Sequence, residues 1–189
     1  MKHFPLITII SFIWVASEIL LAVLKRSKEE KSGKYDKSSL RYLWLVIIFA
    51  ISGGVYIAIR GIGAIQATRI AAPYLGIILI LMGLLIRWIA IFTLRKYFTV
   101  NVAIAKDHRI IKSGIYKYVR HPSYSGSILS FLGLGIYFSN WVSLPIIFIP
   151  ITFSFIYRIK VEETALRRKF GEEYADYARK TSRLIPGLF

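Results

Sequence analysis

The chain has 189 residues, 56% of them apolar and only 19% charged, with 26 lysines and arginines against 10 acidic residues and no cysteine. An apolar share this high, gathered in blocks rather than in amphipathic periods, excludes an ordinary soluble domain, and the missing cysteines exclude a disulfide framework or a thiolate metal site. The net charge of +16 gathers just outside the apolar blocks, where it meets anionic headgroups, and no nucleic-acid recognition motif accompanies it.

The composition therefore predicts an all-α integral membrane protein with lipid as its surroundings and no nucleic acid as partner. Phe4 to Leu24 is apolar apart from serine, threonine and one acid, Glu18. As a helix it rises about 31 Å, enough to cross a hydrocarbon core of about 30 Å. The run is longer than a signal-peptide core and lacks a small-x-small cleavage site, so it reads as a first span. Residues 25–41 carry seven basic and three acidic side chains and read as a solvated loop. Leu40 to Ile59 is a second span, where Gly53 and Gly54 invite close approach of a neighbouring helix. Pro73 opens a third span running to about Leu94.

That third span contains Arg87. An arginine at this depth costs a few kcal/mol unless it faces a bundle interior, a cavity or a partner, which makes it a functional candidate. The alternative is snorkelling toward the basic end at Arg95 and Lys96. Residues 95–120 leave the membrane again, with seven basic side chains and a turn at Lys112-Ser113-Gly114. The uncharged run His121 to Tyr157 is 37 residues, too long for one span and short for two, and predicts a tight helical hairpin turning at Ser139-Asn140-Trp141. Pro150 is expected to kink the returning helix. Arg158 to Phe170 reads as a tail helix ended by Gly171, with a second tail helix over Glu172 to Lys180.

Five spans can be oriented by charge. Residues 25–41, 95–120 and 158–189 hold seven, seven and eight basic side chains, whereas the N-terminus and residues 60–72 hold one and two. This alternation predicts an outside N-terminus and a cytoplasmic C-terminus and site. The expected organisation is one membrane domain over 1–189, with three spans through residue 94 and a cofactor-binding half over 95–189.

The basic and apolar segments meet at Arg120-His121-Pro122-Ser123-Tyr124-Ser125-Gly126. Pro122 biases His121 toward extended backbone and so breaks any helix there, which suggests a shaped pocket wall. In isolation Arg120 would read as a headgroup anchor and Tyr124 as an interfacial ring. His121 with Ser123 or Ser125 is no hydrolytic triad, because adjacent side chains rarely converge and Asp107 is the nearest acid. Three scattered histidines predict no metal site. Gly61-x-Gly63 and Gly133-x-Gly135 lack the third glycine and the strand-turn-helix setting of a dinucleotide fingerprint, and read as helix-packing positions. Glu162 and Glu163 would make surface ion pairs with Arg158 and Arg167 if spacing alone decided.

The segment Ser113-Gly114-Ile115-Tyr116, then Arg120-His121-Pro122-Ser123-Tyr124 and Gly126, then Glu162-Glu163, Leu166, Phe170-Gly171-Glu172-Glu173-Tyr174, Tyr177 and Pro186, resembles the isoprenylcysteine carboxyl methyltransferase family. The Arg-His-Pro-x-Tyr-x-Gly core is shared with the wider phospholipid methyltransferase group. The resemblance implies an enzyme that binds S-adenosylmethionine at the cytoplasmic face, releases S-adenosylhomocysteine, and methylates the C-terminal carboxylate of a prenylated cysteine. Other lipid methylation is the nearest alternative, followed by a sterol-type reductase using NADPH and by a non-enzymatic scaffold.

Charge matching then assigns expected roles. Glu162 or Glu163 would accept from the cofactor's ammonium or ribose, and His121 would donate to its carboxylate or ribose. Tyr118 and Tyr124 offer aromatic faces, Arg120 part of the wall, Gly114 and Gly126 close backbone approach, and Lys112 and Ile115 main-chain bonds. A substrate carboxylate is ionised at neutral pH and needs no general base. It needs a grip, for which Arg87 and Arg158 are the candidates, with Asn101 as a neutral donor. Phe170, Tyr174 and Tyr177 read as residues that dock the tail.

Overall fold

A computed structural model describes residues 4–24, 34–100 and 109–188, so Asn101, Asp107 and His108 lie outside the described residues. The helices are α1 (Phe4–Leu24), α2 (Lys34–Ile59), α3 (Ala71–Leu94), α4 (Pro122–Tyr137), α5 (Ser143–Phe170) and α6 (Glu172–Lys180), with short 3-10 turns at Gln66–Thr68, Arg95–Tyr97 and Gly114–Lys117. Four of them, α1, α2, α3 and α5, are long and apolar enough to cross a membrane. The fifth expected span is α4, whose 16 residues reach only about 24 Å. It forms the short arm of the predicted hairpin.

Glycine spacing explains the closest packing. Gly76 and Gly83 on α3 face Gly133 and Gly126 on the antiparallel α4, one pair every seven residues in opposite senses. A Cβ at Gly83 would stand 2.4 Å from the Gly126 carbonyl oxygen, and one at Gly133 2.6 Å from that of Gly76. Between the pairs, the Ser130 hydroxyl donates to the Ile80 carbonyl at 3.2 Å. On the other side α2 meets α5, with a Gly54 Cβ position 2.4 Å from Ile147 and the Ser143 hydroxyl donating to the Gly54 carbonyl at 2.9 Å. The core joins these pairs through Ile80, Phe131, Leu134, Ile147, Ile151 and Phe155.

The hairpin turns where expected. The Asn140 side-chain oxygen accepts from the backbone N–H groups of Val142 and Ser143, both at 2.9 Å, and so caps α5. Its amide donates to the Ile62 carbonyl at 2.8 Å, tying this turn to the one between α2 and α3. Gly61 and Gly63 sit in that second turn with φ of 71° and 79°, so they serve a left-handed backbone rather than helix packing. Gly133 and Gly135 do pack against helices.

The tail differs from expectation in one respect. Arg158 to Phe170 is the continuation of α5, which runs 28 residues through Pro150. With neither glycine nor proline between Ile151 and Phe170, nothing interrupts it. Its length of about 42 Å exceeds the hydrocarbon thickness by about 12 Å, which carries Glu162 and Glu163 toward the headgroups. Gly171, at φ 53°, ends it and α6 folds back.

Candidate functional site

Pro122 is the first residue of α4 and His121 its N-cap, at φ −123° and ψ 52°. The cyclic residue fits a helix start because no N–H is needed there. Its consequence is a short extended stretch ahead of α4, and the end of the chain runs alongside it. The Arg120 and His121 N–H groups donate to the Ser182 and Arg183 carbonyls at 2.8 and 3.0 Å, and the Ser182 N–H returns a bond to the Tyr118 carbonyl at 3.0 Å.

Glu163 fastens this junction. Its carboxylate receives Arg120 Nε at 3.1 Å and Arg183 Nη2 at 3.1 Å, with His121 Nε2 at 3.4 Å. Burial rules out the surface-pair alternative, since Glu163 is only 4% exposed. Two guanidinium groups on one buried carboxylate hold Arg120 and His121 in position. Arg120 Nη1 also donates to the Ala178 carbonyl at 2.9 Å and to that of Thr181, so it satisfies the free end of α6.

Glu162 points the other way. It lines a large cavity and accepts the Tyr124 hydroxyl at 2.9 Å. The Tyr124 ring stacks with His121 at 5.8 Å between centroids and lies 5.4 Å from that of Phe155.

The cavity measures about 1020 Å³. One part is apolar, bounded by α1 residues such as Trp14 and Val15, by Leu43 and Ile47 of α2, and by Phe131 and Leu134 of α4. The other part is polar, bounded by Arg120, His121, Tyr124 and Glu162 together with Arg109, Tyr116, Tyr174 and Tyr177. Arg87 and Arg158 lie on the same walls. Arg158, 2% exposed, donates to the Ser39 hydroxyl at 2.8 Å and the Val100 carbonyl at 2.7 Å. Arg87 faces the bundle rather than snorkelling. Its Nη1 donates to the Ser123 and Ser127 hydroxyls at 2.9 and 3.0 Å, while Nε and Nη2 each meet a Glu18 carboxylate oxygen at 2.6 Å.

The tyrosines of the polar end are displaced in acidity. Burial pushes the Tyr177 hydroxyl up to about 12 and raises those of Tyr116 and Tyr174 as well. Tyr177 donates to the Tyr116 carbonyl at 2.8 Å, which docks α6 on the segment before the motif.

Several expected residues lie off the cavity wall. Gly126 faces α3, where a Cβ would meet the Gly83 oxygen at 2.4 Å, so it serves helix packing. Lys112 is exposed and pairs with Glu173 at 2.9 Å. Tyr118 is 60% exposed, Ile115 is half-buried in the 3-10 turn, and Gly114 takes φ 59° at the start of that turn. Tyr174 and Tyr177 both dock α6 and line the cavity. Sequence reasoning missed Arg183 and Glu18. Glu18 carried a signal, being an acid in a span of the same protein as a buried arginine; Arg183 carried none.

The residues present suit S-adenosylmethionine. The polar end offers a carboxylate in Glu162, guanidinium groups in Arg109 and Arg120, and four aromatic faces. Tyr174, 1% exposed, places there a buried hydroxyl that has no hydrogen-bond partner among the described residues. Such an orphan is uncommon, and a polar ligand reaching this end of the cavity would satisfy it.

Fold and cavity together define a helical integral membrane protein in which a lipid-side chamber runs into a polar site closed by the chain's own last segment. Residues 76–168 match the model of the isoprenylcysteine carboxyl methyltransferase family. Over that stretch, just under half of its length, the chain is similar to that family. It is 32% identical over 115 residues to a probable protein-S-isoprenylcysteine O-methyltransferase of Oryza sativa subsp. indica, covering 60% of each chain. With the protein-S-isoprenylcysteine O-methyltransferase of Saccharomyces cerevisiae it shares 37% identity over 114 residues, which is 59% of this chain and 48% of that one. A solved structure of a eukaryotic intramembrane Ras methyltransferase superposes with a TM-score of 0.59 at 25% identity, over 85% of this chain and 55% of the other. The chain thus spans about 60% of the length of the rice relative it matches.

Proposed function

We propose that the protein transfers a methyl group from S-adenosylmethionine to the C-terminal carboxylate of a prenylated cysteine within the membrane. The observation that carries this reading is the continuous cavity, apolar among α1, α2 and α4 and polar at Arg120, His121, Tyr124 and Glu162. A prenyl chain prefers lipid by about 0.8 kcal/mol for each buried methylene equivalent, so it enters from the side. The soluble cofactor enters at the polar end, which the positive-inside distribution puts in the cytoplasm, with the N-terminus outside.

When bound, S-adenosylmethionine supplies an electrophilic methyl on a sulfonium. The protein's task is to align an already ionised carboxylate with it and keep water out. Glu162 would accept from the cofactor's ammonium or ribose hydroxyls, the Tyr174 hydroxyl would donate to or accept from its amino acid or ribose, and His121 would donate beside them. Tyr124 and Tyr177 present ring faces to the cation or the adenine. Arg87 and Arg158 hold the substrate carboxylate from the chamber side, with Asn101 as a further donor. Arg120 and Glu163 position this set without needing to touch the ligand.

The test uses purified full-length protein in detergent. We expect it to bind S-adenosylmethionine and not NADPH, and to move labelled methyl onto a small prenylcysteine as a base-labile ester. Label appearing only on amine lipids would place the enzyme in the phospholipid branch; NADPH binding in place of S-adenosylmethionine would make it a reductase.

A further inference from the structure

The Arg87–Glu18 pair has a geometry that a methyl transfer to a carboxylate does not by itself require. Arg87 presents one edge, Nε and Nη2, to both oxygens of Glu18 at 2.6 Å. That two-pronged grip is the arrangement an arginine uses to hold a carboxylate ligand. Here the carboxylate comes from α1, and the pair lies on the wall of the chamber, with 11% and 18% of the two side chains exposed.

Each partner depends on the other to a different degree. Arg87 is held from behind by the Ser123 and Ser127 hydroxyls, so its guanidinium keeps its place without Glu18. Glu18 sits on a narrow seam of α1, Ile7, Ser11, Trp14, Glu18 and Leu21, spaced alternately four and three residues apart. This seam turns toward the bundle, with Ile10 beside it packed partly buried against the core. Ile7, Trp14 and Leu21 are buried, whereas Phe12, Ile13, Val15, Ile19 and Leu20 are exposed. The close helix pairings are α3 with α4, α2 with α5 and α4 with α5. α1 takes part in none of these and meets the bundle through side chains such as Trp14, whose ring centroid lies 4.9 Å from that of Phe131, so Glu18 can leave Arg87 by a change of its own rotamer.

We propose that Glu18 is an internal stand-in for the substrate carboxylate, which it yields to on binding and replaces after methylation. The proposal rests on the reading of Arg87 as a carboxylate holder and adds to it a competitor and a consequence. An incoming prenylcysteine carboxylate exchanges with that of Glu18 on the Nε and Nη2 edge of Arg87. Methylation then turns the ligand's anion into a neutral ester, which cannot hold the guanidinium. Glu18 returns, and the product loses its anchor at the moment it forms. Occupancy of Arg87 by Glu18 also lowers the apparent affinity for substrate, as any state that must be vacated before binding does.

The experiment compares equilibrium binding of N-acetyl-S-farnesylcysteine and its methyl ester by the full chain and its variants. Glu18→Gln removes the competing anion, so the acid is expected to bind roughly tenfold tighter while the ester is unchanged. Glu18→Asp keeps the charge and shortens its reach, so it gives a smaller gain and serves if the Gln variant fails to fold. Arg87→Gln brings affinity for the acid down to that for the ester, whichever residue stands at 18. Acid affinity that stays the same or falls in folded Glu18 variants, while Arg87→Gln still abolishes the preference for acid, overturns the exchange and leaves Arg87 as the holder. Undiminished preference for acid in Arg87→Gln overturns the Arg87 reading and the exchange together. A structural tie alone would lower thermal stability in Glu18→Gln without altering the ratio of acid to ester.

Discussion

Glu163 shows how one carboxylate can organise a site without facing it. Arg120 and Arg183 close on it from two segments of the chain, and its own side chain is 6% exposed. Removing one partner of a buried ion pair costs about 3–5 kcal/mol, because the remaining charge keeps its desolvation penalty. Glu163→Ala is therefore expected to lower the melting temperature sharply and to abolish cofactor binding through disorder at Arg120 and His121. His121→Ala should leave the fold in place and weaken S-adenosylmethionine by roughly ten- to hundredfold, the worth of a charge-assisted contact. Thermal melts beside equilibrium cofactor binding separate these outcomes. Normal melting in Glu163→Ala would mean that the cluster is incidental to the fold. The family resemblance, and not the junction motif alone, set Arg120 and His121 beside Glu162 and Glu163. It could not show that Glu163 is consumed by its neighbours while Glu162 faces the cavity, since adjacent residues on a helix differ by about 100° in direction. Arg87 was legible as a costly intramembrane cation. Its partner carried only the weaker signal of an acid inside a span, and the pairing itself was not legible, because Glu18 and Arg87 are 69 residues apart and nothing local joins them.

Among the elements, α3 and α4 are held by glycine against glycine, so their separation is set by backbone atoms. Gly83→Ala would push a methyl to within 2.4 Å of the Gly126 oxygen. Overpacking of this kind costs about 1–3 kcal/mol, read as a lower melting temperature, and here it should also displace Arg87, Ser123 and Ser127. The motif glycine Gly126 reads as a place for ligand approach in sequence; the structure assigns it to this helix contact, a role that only the register with α3 reveals. α6 is docked by tyrosines whose hydroxyls must stay neutral. Their pKa values are raised by burial, Tyr177 to about 12. Their contribution is whole below the ordinary tyrosine value of about 10 and is lost as pH climbs through the raised values. Melting temperature and cofactor affinity should therefore hold steady from pH 8 to 10 and fall together toward 12, and Tyr177→Phe should flatten part of that fall. A flat profile throughout would show that α6 docks independently of these hydroxyls.

For the whole molecule, apolar block lengths and the basic loops between them were sufficient to read the helical membrane fold and the hairpin. What they did not reveal was the continuity of α5 into the tail, because Arg158 marks a change of solvent and not a change of backbone. Orientation follows from the same lysines and arginines, and predicts that a tag at the N-terminus is shielded from the cytoplasm while one after Leu188 is reachable. Cytoplasmic labelling of the N-terminal tag would reverse the topology and with it the side from which the cofactor enters.

The last stretch of chain binds the middle: Ser182, Arg183 and Leu184 supply partners to Arg120, His121 and Ser125, and Tyr177 to Tyr116. The backbone groups of residues 118–121 are therefore satisfied by chain some sixty residues further on, and the helices through α5 pair without it. A single cut between Lys180 and Leu184 is accordingly expected to leave the paired helices standing while it unties Arg120, His121 and Ser125, so limited proteolysis there separates the stability of the bundle from the integrity of the polar end.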